Sequence, residues 1–365
     1  MSSKLLLIAL LTTWSLIHGI SSPNDSELEL VQVLFRHGER TPLESETYPR
    51  DPYSSSLFYE PWGWGQLTEL GRYRMRRLGQ ALRRRYGGFL RTLSGSGDIY
   101  AHSANNESCL TSLRLLIEGL RINEGTVAIH SHGNDILMNS RACSKYQTEL
   151  KKIRQLPEVI QTLAKYEGLF SYVMDNTGVT FDGLPKDQRL YQLYNLLETQ
   201  RSMNLSLPNW CPEGVFNLLN EIAYLHFNLE SYTQALKILN GGPLVRRFLE
   251  SMLRSKSRNN IKIYLYSGED HNVAAFSRAL DRRFPRVPNY GNAIILEKYR
   301  TLKSARALVR MVIWTGVTEK LFPVRLRGCT EVCPLEDYAK IVAKSLPTNE
   351  DMRCHFNDAK EHKNL

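Results

Sequence analysis

At 365 residues, with 42% hydrophobic and 23% charged side chains, the chain has ordinary globular composition, which excludes a fibrous or wholly disordered protein and leaves room for one large domain or two modest ones. The formal charge of +10 suits anionic small molecules such as phosphate esters. The basic residues concentrate between Arg72 and Arg85 on a predicted helix, where such a run is a solvated face, so no nucleic-acid partner is expected.

Lys4, the apolar run Leu5 to Ile17 and the small residues Gly19, Ser21 and Ser22 have the three parts of a secretory signal peptide, so residues 1–21 are expected to be removed. The run is too short to span a bilayer, and no later stretch approaches membrane length, so a soluble secreted protein without a membrane anchor is expected. Three Asn-x-Ser sequons, at Asn24, Asn106 and Asn204, fit that route as glycosylation sites. Six cysteines form an even set whose pairing spacing alone leaves open, although Cys329 and Cys333 are near enough to close a small loop. No Cys or His set has ligand spacing, so neither a metal nor a cofactor is expected.

Leu28 to Phe35 reads as a buried strand running into the loop Arg36-His37-Gly38-Glu39-Arg40-Thr41-Pro42. From Thr68 the apolar residues Leu70, Met75, Leu78, Leu82 and Tyr86 recur at helical spacing until Gly87-Gly88 is expected to end the helix. Ile99 to His102 and Thr126 to Ser131 are strand candidates separated by a helix over Leu110 to Leu120. Between about Ser140 and Ser257 the pattern is helical, including Pro157 to Lys165, Gln188 to Gln200 and Gly214 to Leu229. The strand pattern returns at Ile261 to Tyr266, followed by Ser267-Gly268-Glu269-Asp270 and a helix over Val273 to Leu280, then strands at Ala293 to Leu296 and Val309 to Trp314. This alternation predicts an α/β fold, a mostly parallel sheet flanked by helices and formed by residues 22–139 and 258–365, with residues 140–257 inserted as a helical cap subdomain.

Ligand sites in open α/β sheets lie beyond the C-terminal ends of the strands, which is where Arg36 to Pro42 falls. A neutral imidazole at His37 is a competent nucleophile toward phosphorus, the forked guanidinium groups of Arg36 and Arg40 match phosphate oxygens, and Gly38 permits close backbone approach.

Arg36 to Pro42 resembles the RHGxRxP motif of the histidine acid phosphatases. The similarity extends in order through Trp64-Gly65-Gln66-Leu67-Thr68 with Gly71, Gly241-Gly242-Pro243-Leu244, Tyr290-Gly291 with Leu296-Glu297, and Cys329 to Cys333-Pro334-Leu335. It is strongest toward the soluble animal branch with prostatic, lysosomal and insect venom members. The resemblance implies the fold of that family, which it shares with the phosphoglycerate mutases, and metal-free, two-step hydrolysis of phosphomonoesters at acid pH. His37 would be the nucleophile, Arg36 and Arg40 the phosphate ligands and Asp270 the general acid. A helix N-cap is the plain structural alternative for Asp270. The resemblance also implies Cys143–Cys354 and Cys329–Cys333 disulfides, leaves Cys109 and Cys211 to pair by exclusion, and implies a homodimer.

Two positions depart from the pattern. Where the family pairs His with Asp, this chain has Glu269-Asp270, and the family's third phosphate-binding arginine falls on Ser108. Losing a transition-state donor costs roughly 100- to 1000-fold in rate. A carboxylate about 4 Å from each unit of phosphate charge costs about 4 kcal/mol at an effective dielectric of about 20. A protonated Glu269 would instead donate a hydrogen bond, which would confine activity to acid pH. His271 follows Asp270 rather than preceding it, so a strand-to-helix turn is expected to aim it elsewhere. A weakened secreted acid phosphatase is therefore expected, the alternative being an inactive secreted binding protein, such as a venom or salivary component, on the same fold.

Overall fold

A computed structural model describes residues 23, 25–93, 95–181, 183–254, 261–283, 285–316 and 320–354. The expected signal peptide and the sequon residue Asn24 lie outside them. Strand β1 (Ser26–Arg36) is buried from Leu30 onward and is flanked by β4 (Ile263–Gly268) on one side and β5 (Ala293–Thr301) on the other. Beyond β4 lie β2 (Ile99–Ser103) and the two-residue β3 (Ile129–His130); beyond β5 lie β6 (Ala307–Trp314) and β7 (Leu321–Val324), with β8 (Val332–Pro334) also on β6. Strands β1 to β4 pair in parallel, and β5, β6 and β7 alternate in direction. The sheet is therefore mixed but mostly parallel by strand direction, since β6 shares the direction of β1. The short β7 and β8 had no clear signal in the sequence, because half-exposed runs of three or four residues fall below the length at which alternation can be read.

Helices cover both faces. Glu69–Leu90 and Glu107–Gly119 bury Met75, Leu78, Leu113 and Leu116 against Val31, Val33, Phe35 and Leu265, while Gly242–Arg254 and Asp270–Ala279 bury Phe248, Met252, Val273 and Phe276 against Leu34, Tyr266 and Ile294. The alternation of Val31, Val33 and Phe35 with Leu30 and Leu34 assigns each side chain of β1 to one face, and both faces are apolar as a central strand requires.

Gly87-Gly88 does not end the first long helix. Tyr86 takes non-helical angles (φ −107°, ψ 16°) and the helix resumes to Leu90, so the glycines follow a kink instead of forming a stop. Between β3 and β4 the described residues form helices only, among them Ser144–Arg154, Pro157–Ala164, Glu167–Thr177, Lys186–Ser202 and Glu213–Leu229. Most of these pack around cores of their own, such as Leu190, Leu197, Phe216 and Phe227. Gly242–Arg254, within the span expected as cap, packs on the sheet.

Cys143–Cys354 and Cys329–Cys333 are disulfide-bonded. The expected pairing of Cys109 with Cys211 is corrected: both are free and buried, Cys109 in the core under the sheet and Cys211 in the core of the helical region. Exclusion assumed that every cysteine of a secreted chain is oxidised, but a buried thiol also serves as a small apolar side chain.

Candidate active site

The register Phe35↔Ser267 and Arg36↔Gly268 brings the loop after β1 and the loop after β4 side by side at the same sheet edge. The His37 amide donates to the Gly268 carbonyl (3.0 Å), and the Gly291 amide donates to the His37 carbonyl (3.0 Å). His37, Asp270 and Tyr290 thus meet because three neighbouring strands end or begin together.

The loop itself is braced by the Trp64 to Gly71 segment. The Thr41 amide donates to Gln66 O and the Thr68 amide to Glu39 O, and Thr68 caps the helix Glu69–Leu90. Gly38 does permit a close approach, but the partner is protein backbone: a Cβ there would lie 2.5 Å from Gly71 O, and a Cβ on Gly71 would lie 2.0 Å from Glu39 O. The two glycines are one packing device. Arg74 holds the buried Glu39 carboxylate with two Nε contacts of 2.8 Å and further closes the loop against the helix.

His37 is 3% exposed. Its Nδ1 lies 2.8 Å from Gly38 O, an acceptor only, so Nδ1 carries the proton and Nε2 keeps its lone pair. Burial, then the charges of Arg36 and Arg40, push its pKa down to about 3, so the imidazole stays neutral across the mildly acid range. Arg36 stacks over Tyr290 (4.1 Å to the ring centroid), donates to Pro288 O (2.7 Å) and Asn195 Oδ1 (3.1 Å), and pairs with Asp270 (3.3 Å). Its buried Nε has no hydrogen-bond partner among the described residues. Arg40 is gripped bidentately by Glu46 at 2.9 and 2.5 Å.

Asp270 is the first residue of its helix and Glu269 is the N-cap, so the capping alternative belongs one residue earlier. Asp270 Oδ1 accepts from Tyr191 OH (2.8 Å) and from the His271 amide (2.7 Å). Burial works to raise its pKa but is outweighed by Arg36, His271, Arg141 and the tyrosine hydrogen bond, which hold it below the usual carboxylate range. Glu269 Oε1 accepts from Asn106 Nδ2 (3.0 Å), and its side chain is 42% exposed, so water screens the repulsion expected from it. Ser108 is buried at the start of Glu107–Gly119 and donates to Asn106 Oδ1 (2.9 Å), which also caps the Cys109 amide. The two altered positions are thereby joined through Asn106 into one polar chain. His271 is buried with both ring nitrogens lacking hydrogen-bond partners among the described residues; burial and Arg141 lower its pKa.

Glu46, Tyr191, Asn195 and the role of Tyr290 were missed in the sequence. Tyr191 and Asn195 stand four apart on Lys186–Ser202, a spacing that puts both on one helix face. Nothing distinguishes that face from ordinary amphipathicity until its target is known. Asn204, by contrast with Asn106, sits exposed at a turn with φ 62°. Among the described residues no helix is long and apolar enough to cross a membrane.

The family model for the histidine phosphatase superfamily, branch 2, matches residues 27–313. The chain is 32% identical to the venom acid phosphatase Acph-1 of Apis mellifera over 351 residues, covering 90% of this chain and 88% of that protein. It is 27% identical to the lysosomal acid phosphatase of Homo sapiens, with 90% and 80% covered, and 27% identical to the human prostatic acid phosphatase, with 90% and 88% covered. Among solved structures, the phytase of Citrobacter braakii superposes with a TM-score of 0.68 at 16% identity, covering 89% of this chain and 99% of that one. The phytase of Klebsiella sp. ASR1 gives 0.67 at 18% identity, with 90% and 98% covered.

Proposed function

The chain belongs to branch 2 of the histidine phosphatase superfamily, and from that premise we propose that it is a secreted acid phosphatase that hydrolyses phosphomonoesters through a phosphohistidine on His37, at a rate lowered by Ser108 and Glu269. The observation that carries this reading is the fixed tautomer of His37: a buried neutral imidazole with its proton tied to Gly38 O, flanked by two arginines, beside a carboxylate held by Arg36.

In the first step Nε2 of His37 attacks phosphorus while the ester P–O bond breaks, and the leaving alkoxide takes a proton from Asp270. In the second, water attacks the phosphohistidine, its proton passes to Asp270, the P–N bond breaks, and phosphate leaves with His37 neutral again. Arg36 and Arg40 hold the non-bridging oxygens; Glu46, Asn195 and Tyr290 keep the two guanidinium groups in place. Secretion after removal of residues 1–21, glycans at Asn24, Asn106 and Asn204, and a homodimer belong to the same reading. A glycan on Asn106 would replace a hydrogen of the amide that now contacts Glu269.

A second reading, a non-catalytic secreted binder, is favoured by one observation: Ser108, Asn106 and Glu269 satisfy one another and offer no cation to that quarter of the site. Hydrolysis of an aryl phosphate by the full-length secreted protein across pH 4 to 7, with His37→Ala alongside, separates the two. Turnover that requires His37 supports the enzyme. Its absence, with recovery in the Ser108→Arg, Glu269→His double variant, supports the binder.

A further inference from the structure

A second concave site lies at the far end of the helix that Asp270 begins. Arg278 is eight residues along that helix, about 12 Å down its axis, and faces a cavity of about 570 Å³ between the cap helices Pro157–Ala164 and Glu213–Leu229 and the segment 278–283. That volume suits a small organic ligand.

Its charge is unbalanced. Lys237, Arg278, Arg282, Arg283 and Arg327 line it against two carboxylates, Glu158 and Asp281, and Asp281 is already engaged by Lys237 at 2.5 Å and by Lys344. Arg278 is 4% exposed and, among the described residues, donates to neutral acceptors alone, Asn228 Oδ1 (3.1 Å), Ala274 O (3.2 Å) and Arg286 O (3.2 Å). No carboxylate among the described residues pairs with it at ion-pair distance, and burial drives its pKa down to about 10. A buried cation without a counter-ion is costly, and a bound anion removes that cost. Two further polar atoms on the same wall, Ser231 Oγ and Arg282 Nε, are buried without a hydrogen-bond partner among the described residues. The rest of the wall mixes the polar Thr162, Asn228 and Tyr232 with the apolar Val159, Leu163, Leu225 and Leu229, of which Val159 and Leu229 are buried. Arg282 and Arg283 also border a neighbouring cavity of about 370 Å³ whose other walls include Met311, Ile313, Phe322 and Val324.

We propose that this cavity is a binding site, separate from His37, for an amphipathic anion: an oxyanion head bound by Arg278, Arg282 and Ser231, carried on an apolar body that rests on Val159 and Leu229. A phosphate, sulfate or carboxylate head shares the required chemistry. The apolar walls on both sides of Arg282 and Arg283 select a ligand with a hydrocarbon part over a bare inorganic ion.

The test is titration of the full-length protein with 1-naphthyl sulfate, followed by calorimetry, with inorganic sulfate and 1-naphthol as separate arms. One saturable site is expected, retained in Arg40→Ala and weakened at least tenfold by Arg282→Gln and by Arg283→Glu. Arg283 is exposed, so its substitution leaves the fold intact, and aryl phosphate turnover by Arg283→Glu is expected to match the parent. Absence of saturable binding overturns the proposal, as does binding unaffected by Arg282→Gln and Arg283→Glu or abolished by Arg40→Ala. Inorganic sulfate binding as tightly overturns the amphipathic ligand. None of the binding outcomes depends on whether His37 turns over phosphate.

Discussion

At the scale of single residues, the chemistry turns on where one proton resides. His37 is neutral above about pH 3, so the nucleophile is available throughout the acid range. Asp270, held below the usual carboxylate range by Arg36 and its other neighbours against the effect of burial, is a carboxylate before substrate arrives. In the proposed reaction the proton needed by the leaving alcohol therefore enters with the substrate, as the monoanion of a phosphomonoester, whose second pKa is about 6. We expect kcat/KM on an aryl phosphate to hold from about pH 4 to 6 and then to fall about tenfold per pH unit. A profile flat to pH 8 would mean that Asp270 is not filled in this way. In the proposed site Glu269 repels a substrate dianion more than a monoanion, and its exposure screens the effect.

That His37, Arg36, Arg40 and Asp270 fall together was legible in the sequence because each stands in a short motif at a strand end. Glu46 and Asn195 were not, since their roles come from the cap and a loop folding back on Arg40 and Arg36, which no local pattern encodes. The capping position was misplaced by one residue for a related reason. Asp and Glu both serve at a helix start, and only the chain direction after Gly268 decides which of Glu269 and Asp270 lies outside the helix.

At the scale of elements, the site is held by backbone packed on backbone. The RHG loop meets the start of Glu69–Leu90 at Gly38 and Gly71, and the same helix crosses Glu107–Gly119 at Gly79 and Gly119, where a Cβ would lie 2.2 Å from Leu116 O and 2.3 Å from Arg76 O respectively. Gly71→Ala cannot be relieved by a rotamer change, because the obstacle is the Glu39 carbonyl at 2.0 Å. Overpacking of this kind costs roughly 1–3 kcal/mol or more. Urea unfolding of Gly71→Ala is expected to show a loss of at least about 2 kcal/mol, together with lower phosphatase activity as the loop shifts. Unchanged stability would mean that the two backbones are not in contact. The long helices and central strands were readable from periodicity because each buries a full apolar face. The kink at Tyr86 was not, because two glycines predict a break without saying whether the helix resumes.

At the scale of the whole molecule, the cap reaches the site through a buried ionic network. Arg141 pairs with Glu230 (2.6 Å), and His226 bridges Glu230 (3.4 Å) and Asp187 (2.8 Å), which Arg154 also holds (2.9 Å). Tyr191 stacks on His226 (4.6 Å between centroids) and donates to Asp270. Burial works to lower the pKa of His226, but Glu230 and the bond to Asp187 outweigh it and the net shift is upward. A histidine whose folded pKa is raised contributes stability that is fully present below its unfolded value near 6.5 and is lost as pH rises through the folded value. Glu230 and Asp187 are both shifted down, against the effect of burial, by their cationic partners and stay ionised over that window. The Tm deficit of His226→Gln relative to the parent should therefore be largest at pH 5 to 6 and shrink toward pH 9. A deficit that is constant with pH would assign His226 a packing role alone. The sequence showed none of this, because the five residues of the network come from four separate places between Arg141 and Glu230, with only His226 and Glu230 one helical turn apart, and each alone reads as an ordinary helix-surface residue.

The central claim is that His37 carries the phosphoryl group between two displacements. Mixing the protein with a ³²P-labelled aryl phosphate at pH 5, quenching in alkali within milliseconds and mapping the labelled peptide tests it most directly. The account predicts an acid-labile, alkali-stable label on the peptide containing His37, absent from His37→Ala and longer-lived in Asp270→Asn. Phosphate release with no protein-bound label under conditions where Asp270→Asn also fails to accumulate one, or a label on any other residue, would contradict it.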